Sequence, residues 1–445
     1  MRAFATGVWL VVCAALAGPL QAAERISERV FFVRDKPGTP LKFRMVVNAG
    51  CLDEAGAQCR GLAHYLEHLV LVGRNPEHKE AAIRMFGSGE ANGYTNMRST
   101  VYTHTVPARP EGSRADLDHL LGFYAARLKD FSIPEDEAAR ERNIVLQEHD
   151  WRVQTNPYLL AWRDLWRKAL PDHPFGQWTI GTREDIQAFT LEQARAFHRA
   201  WYAPNNVWFV ISGDMEPAQV KEAAAKALAG LEARKLPPRN FAAKPDVKEE
   251  RLDSALGGGR FRQPGVQMLK LLRTAEADPA RNRAVRAILG RFFDSELPGS
   301  PRDVLAADRK VAGPNARLSI SRAAPDTFLL SIGLNAASGV TTATLRDEAV
   351  SYLARFGTGE ALTDAIVERL KMRILRDLDD IAKNPAREFA QLVSWLDNRN
   401  SYEDLLTWKA TVAGVTGQDV RDFAKALAGP GRLLTQTIDS SGAAP

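Results

Sequence analysis

The chain has 445 residues, of which 45% are hydrophobic, 25% charged and 8% aromatic. That balance excludes a disordered chain, a collagen-like fibre and a disulfide miniprotein, and the length predicts two domains, because single cores stop growing at roughly 250–300 residues. The net charge is only +5, from 59 Lys plus Arg against 54 Asp plus Glu, and no basic block stands out, so no nucleic-acid partner is expected. All eight histidines lie between His64 and His198. Histidine-dependent chemistry therefore belongs to the first half.

Residues 1–23 read as a secretory signal peptide: Arg2, an apolar run from Ala3 to Leu20, then small residues at Ala22 and Ala23. This predicts a periplasmic location. No later run approaches membrane length, so no stable membrane insertion is expected. With the leader removed, Cys51 and Cys59 are the remaining cysteines. Eight apart in an exported protein, they suggest a disulfide; the alternative is two unpaired small residues.

Residues 64–68 read His64-Tyr65-Leu66-Glu67-His68, within a segment from Arg60 to Gly73 that has helical apolar spacing. Residues four apart share a helix face, so His64 and His68 can grip one metal ion, with Glu67 beside them to hold a water. The pattern is the reverse of the H-E-x-x-H zinc helix. A catalytic zinc usually has a third protein ligand. The helical segment from Pro134 to Gln154 offers Glu141 and Glu148, seven apart and so on one face. Glu148 can be the third ligand, with Glu141 one layer behind; a solvated acidic face is the alternative.

This arrangement resembles the M16 metallopeptidases, the family of pitrilysin, insulysin and mitochondrial processing peptidase. Its members carry H-x-x-E-H followed, some seventy-five to eighty residues later, by a helix with two glutamates seven apart. The lead-in from Asn48 to Gly73, the stretch Asn92-Gly93-Tyr94-Thr95 with Thr100 and Tyr102, and blocks up to about Leu231 are similar to the family's own. The resemblance implies one Zn2+ per chain held by His64, His68 and Glu148, Glu67 as general base and Glu141 as a supporting carboxylate. Asn92 is then expected on an edge strand that a peptide substrate can extend; by itself Asn-Gly is also a hairpin-turn signal.

Residues 232–250 are rich in Pro and charge and read as a linker. Beyond it, strand-like runs (266–272, 316–320, 327–332) and helical runs (346–355, 360–378, 419–427) come in the order of the first half. No residue-level repeat is visible, and it is the resemblance to the family's two-domain architecture that implies the expected fold, α+β: two similar modules, each an antiparallel-rich sheet packed with helices. The first, 24–231, is catalytic; the second, 251–438, binds substrate or supports; 439–445 is a flexible tail. Gly257-Gly258-Gly259 reads as a turn. Active family members also present an Arg and a Tyr from the second module toward the substrate carbonyl. This chain offers Arg302, Arg309 and Arg317 there, but no tyrosine between Tyr202 and Tyr352. The expected enzyme is therefore the zinc-bearing subunit of a heterodimer whose second M16-like subunit supplies the Arg/Tyr pair. The competing readings are a homodimeric peptidase and a non-catalytic assembly subunit.

Overall fold

The computed structural model describes residues 23–72, 90–110, 112–171, 173–239, 245, 247–257, 261–274, 278–314, 316–324 and 326–440. The expected leader up to residue 22, Gly258, Gly259 and the end of the expected tail lie outside the described residues.

The first sheet holds β1 (Ala23–Ser27), β2 (Val30–Arg34) and β3 (Leu41–Val47). Helix α1 (Leu62–Val72) comes next, then the hairpin β4 (Glu90–Thr95) and β5 (Thr100–Val106). Helices α2 (Arg114–Lys129), α3 (Glu135–Thr155), α4 (Pro157–Ala169), α5 (Arg183–Ala188) and α6 (Leu191–Trp201) lead to β6 (Val207–Gly213) and α7 (Pro217–Ala227). The second sheet begins with β7 (Glu250–Gly257) and β8 (Gly265–Arg273), followed by α8 (Pro279–Phe293) and the pair β9 (Arg317–Ala324) and β10 (Thr327–Asn335). Helices α9 (Thr342–Phe356), α10 (Asp364–Ala382), α11 (Pro385–Asp397), α12 (Tyr402–Ala413) and α13 (Gly417–Ala428) precede β11 (Arg432–Asp439).

The strand orders are β1-β2-β6-β3-β5-β4 and β7-β11-β8-β10-β9. In each sheet the first-made strand of the common core runs parallel to the last-made one, and every other pairing of that core is antiparallel. One five-stranded plan is thus built twice, and β1 is an addition to the first copy.

Both faces of both sheets are covered, which is why β2 (Val30-Phe31-Phe32-Val33) reads as a continuous apolar run. Val30 and Phe32 join Phe43, Met45 and Tyr102 under α1 and α2. Phe31 and Val33 face the other way, into one core with Phe389, Leu392 and Trp395 of α11. The exchange is reciprocal. Leu165 and Ala169 of α4 pack with Leu269, Leu271, Leu329 and Leu434 of the second sheet. The described start of the linker, up to Arg239, is tied down: Arg239 donates to the Asn48 carbonyl and Asn48 Oδ1, and Arg234 to the Tyr202 carbonyl.

Candidate functional site: a two-helix donor cluster

Three features place α1. Its N-terminal amides meet a buried carboxylate, Glu54, which accepts from the N–H groups of Arg60 (2.7 Å), Gly61 (3.2 Å) and Ala63 (3.0 Å). Gly61 has φ +95°, and a Cβ there would lie 2.2 Å from the Ile180 carbonyl oxygen, so the entry to the helix requires glycine. Cys51 and Cys59 are disulfide-bonded, with Cα atoms 4.8 Å apart, and close the loop that carries Glu54. Tyr65 then fixes α1 to α3 by donating to the Ala138 carbonyl at 2.7 Å.

That docking brings His64, His68 and Glu148 together. His64 Nε2 lies 3.4 Å and His68 Nε2 3.5 Å from the same Glu148 oxygen, Oε2. One ligand atom from each of the three residues lies within 4.8 Å of the other two. Glu141 stands on the opposite side of the His68 ring, 3.7 Å from Nδ1, and Arg152 donates to the other Glu148 oxygen. Burial foremost, with His68 adding to it, pushes His64 down to about 3, which leaves its ring neutral with a lone pair to offer. At His68 burial acts downward too, but the neighbouring Glu141 and Glu148 carboxylates prevail and lift it to about 9. Glu148 is held near 2 despite its burial, by His68, His64 and Arg152. Glu148 Oε2 is shielded from solvent and has no hydrogen-bond partner among the described residues. A shielded carboxylate oxygen facing two imidazole nitrogens at 3.4 and 3.5 Å is a donor set that a divalent cation satisfies, and two nitrogens with one carboxylate suit zinc.

Glu67 points to the same place but stays outside the cluster. Burial raises it to about 7, opposed by a hydrogen bond from Thr95 Oγ1 to its Oε2 at 2.7 Å. Gly93 faces its other oxygen: a Cβ at 93 would lie 2.6 Å from Glu67 Oε1. Asn92 and Gly93 therefore sit inside β4, and the turn falls later, at residues 96–99. β4 is the terminal strand of its sheet among the described residues. By strand alternation Asn92 and Tyr94 point away from Glu67, while Gly93 and Thr95 point toward it. Asn92 is exposed, and its Oδ1 accepts from the Gly93 N–H.

The sequence reading overlooked Glu54 and gave Gly93 and Thr95 no role of their own. Each acts on a partner distant in sequence, and no helical or strand period flags such a pair. Of the three arginines considered in the second half, Arg317 lines a cavity of about 460 Å³ together with Tyr158 and Trp162 of α4.

A model of the insulinase family, peptidase family M16, matches residues 29–183, and one of the M16 inactive domain matches residues 188–374. Together they cover most of the chain, which belongs to the M16 family of zinc metallopeptidases. Zinc protease PqqE of Helicobacter pylori is 26% identical over 326 residues, 70% of this chain and 68% of that protein. The fold is also that of a crystallised Helicobacter pylori protease, with TM-score 0.74 and 20% identity over 92% of this chain and 96% of the other. The periplasmic protease PqqL of Escherichia coli superposes with TM-score 0.73 and 17% identity, over 95% of this chain but 48% of that one. Two modules here therefore correspond to about half of the longer relative. Among the described residues no helix is long and apolar enough to cross a membrane.

Proposed function

We propose that the chain is a zinc-dependent endopeptidase of peptides or unfolded segments, acting in the periplasm as the zinc-bearing subunit of a heterodimer. The observation that carries this reading is the meeting of His64, His68 and Glu148 within 4.8 Å, with Glu67 adjacent and outside the donor set. His64, His68 and Glu148 would hold one Zn2+, and Glu141 would orient His68 from its far nitrogen. Zinc held there supplies Lewis acidity, bringing the pKa of a water toward ~7 and polarising a peptide carbonyl.

The chain's own residues do the rest. Glu67 takes the proton of the attacking water at a carboxylate oxygen and delivers it to the leaving amine nitrogen. Thr95 holds the other half of that carboxylate. The open edge of β4 pairs with an extended substrate backbone beside Asn92, which favours unfolded segments over folded proteins. The residues 24–231 form the catalytic module and 251–438 the supporting one.

The heterodimer reading rests on the missing tyrosine and on the half-length match to PqqL. A homodimeric peptidase is the second reading. It is favoured by Arg317 sharing its cavity with Tyr158, an arginine and a tyrosine brought together from different modules. Peptide hydrolysis and zinc content of the purified chain, alone and with an M16-like partner lacking H-x-x-E-H, separate the two. Activity only with the partner supports the heterodimer, full activity alone overturns it, and a chain that binds no zinc overturns the function.

A further inference from the structure

The turn between β4 and β5 is gripped by the second module. Asp397, the last residue of α11, accepts from Asn96 Nδ2 at 2.7 Å, from Tyr94 Oη at 3.2 Å and from Ser99 Oγ. Two residues further on, Arg399 donates from Nε to the Arg98 carbonyl at 2.6 Å and from Nη2 to the Asp53 carboxylate. Asp53 belongs to the loop entering α1, and that loop holds the turn from its other side. Leu52 N–H donates to the Met97 carbonyl at 2.9 Å, and Cys51 N–H to the Asn96 carbonyl at 3.1 Å.

The backbone at Arg399 gives this contact its weight. Its φ is +59°, just beyond a helix C-terminus, where glycine is the usual occupant because a Cβ is strained there. An arginine kept at a glycine position is explained by its side chain, and this one reaches both the β4–β5 turn and the loop entering α1. Thr95, the residue before the turn, donates to Glu67 at 2.7 Å. A short bonded path thus runs from the histidine-free module to the carboxylate next to the donor cluster.

We infer that Asp397 and Arg399 are positioning residues, through which the second module sets the β4–β5 turn and, by way of Thr95, the aim of Glu67. The inference rests on the reading of Glu67 as proton carrier given above. It assigns the second module a part in catalysis that needs no catalytic side chain of its own.

The test uses the full-length chain, with its partner if activity requires one, in two variants. Arg399→Gly suits the backbone and removes the grip; Asp397→Ala removes the other half. Two measurements are made on each. Hydrogen exchange of residues 92–100 needs no activity, and it should quicken in both variants while α1 stays as protected as in the wild type. Steady-state hydrolysis with metal analysis should show kcat falling about tenfold to a hundredfold, with KM and zinc content held. Combined with Thr95→Val, Arg399→Gly should add little further loss, since both act on one path. Unchanged exchange in both variants overturns the inference, as does full kcat in both, or a double variant whose losses multiply. If the wild type proves inactive, the proposed function fails and the exchange measurement alone decides whether the latch exists.

Discussion

The two modules share a strand order and strand directions, yet they differ in the helix that leaves the second strand of the common plan. In the first, β3 leads to α1, whose inward side carries His64, Glu67 and His68. In the second, β8 leads to α8, which buries Ala284, Val285, Ile288, Leu289, Phe292 and Phe293. The polar side of α8 is arginine-rich and spends itself on neighbours: Arg281 pairs with Asp419, Arg283 with Asp404 and Arg291 with Asp377. One topology supports a cluster of potential metal donors in one copy and a knot of helix-to-helix ion pairs in the other. The fold sets where side chains meet, and a handful of residues decide whether they meet as ligands.

The sharpest way to break that comparison is to remove the chemistry and leave the fold. Glu67→Gln keeps size and a hydrogen-bonding group for Thr95 but cannot carry a proton. The expected loss in kcat/KM is about 10³-fold, with zinc content unchanged and the melting temperature near that of the wild type. A variant that keeps both zinc and activity removes Glu67 from the mechanism. His64→Ala should instead lose the metal itself, which separates ligand from base.

The next prediction concerns the helices that the modules exchange. Leu392 of α11 and Leu165 of α4 are buried, each against the other module's sheet or core. Either residue changed to Ala should cost about 2–5 kcal/mol. Because each helix caps the opposite sheet, the chain should still melt in one transition, shifted as a whole. Two separated calorimetric transitions in either variant would show that the modules are independent units.

A third prediction uses the histidine asymmetry. Burial pushes His104 and His198 down to about 4, well below the ordinary 6.5. Their folded forms refuse a proton that the unfolded chain accepts, so their contribution is intact above about pH 6.5 and lost as the pH falls toward 4. The size is at most on the order of 3 kcal/mol for each. His198→Gln, which keeps a donor toward the Arg127 carbonyl, should flatten part of that slope in denaturant titrations between pH 7 and 4. An unaltered slope would mean that the acid sensitivity arises elsewhere. The second module has no histidine, so its own acid loss should come from carboxylates held low, such as Asp419 beside Arg281, and set in only at lower pH.

The five residues of the donor cluster and its surroundings were legible in the chain because they sit on two helices, where spacing of three, four and seven maps directly onto a face. The repeat of the fold was legible only through the family resemblance, since the two halves share an order of runs but no residue-level repeat. The exchange of α4 and α11 was not, because an amphipathic helix declares that it has a buried face and says nothing of which sheet covers it. Phe31 and Phe32 are adjacent in sequence and lie in different cores. Glu54, Thr95 and Arg399 were hidden for the same reason. Each is an ordinary polar residue locally, and its partner lies between six and several hundred positions away.

Gly93 gives the smallest effect and the cleanest separation of stability from activity. In a strand interior, glycine is destabilising by roughly 0.5–1 kcal/mol relative to alanine, so Gly93→Ala should leave the fold intact or slightly firmer by propensity. The added methyl, however, would sit 2.6 Å from Glu67 Oε1 and 3.0 Å from a methyl of Leu71. The tightest contacts are with Glu67, whose Cγ would also lie 3.0 Å away. The displacement therefore falls on the Glu67 carboxylate or on the edge strand β4. Either way kcat should drop by about tenfold, while the melting temperature holds or rises. If Gly93→Ala turns over substrate at the wild-type rate, β4 has room to move away from Glu67, and the close approach is incidental to the chemistry. If rate and stability fall together, the methyl has disturbed the packing of α1, and the hairpin is then part of the scaffold that holds the donor cluster.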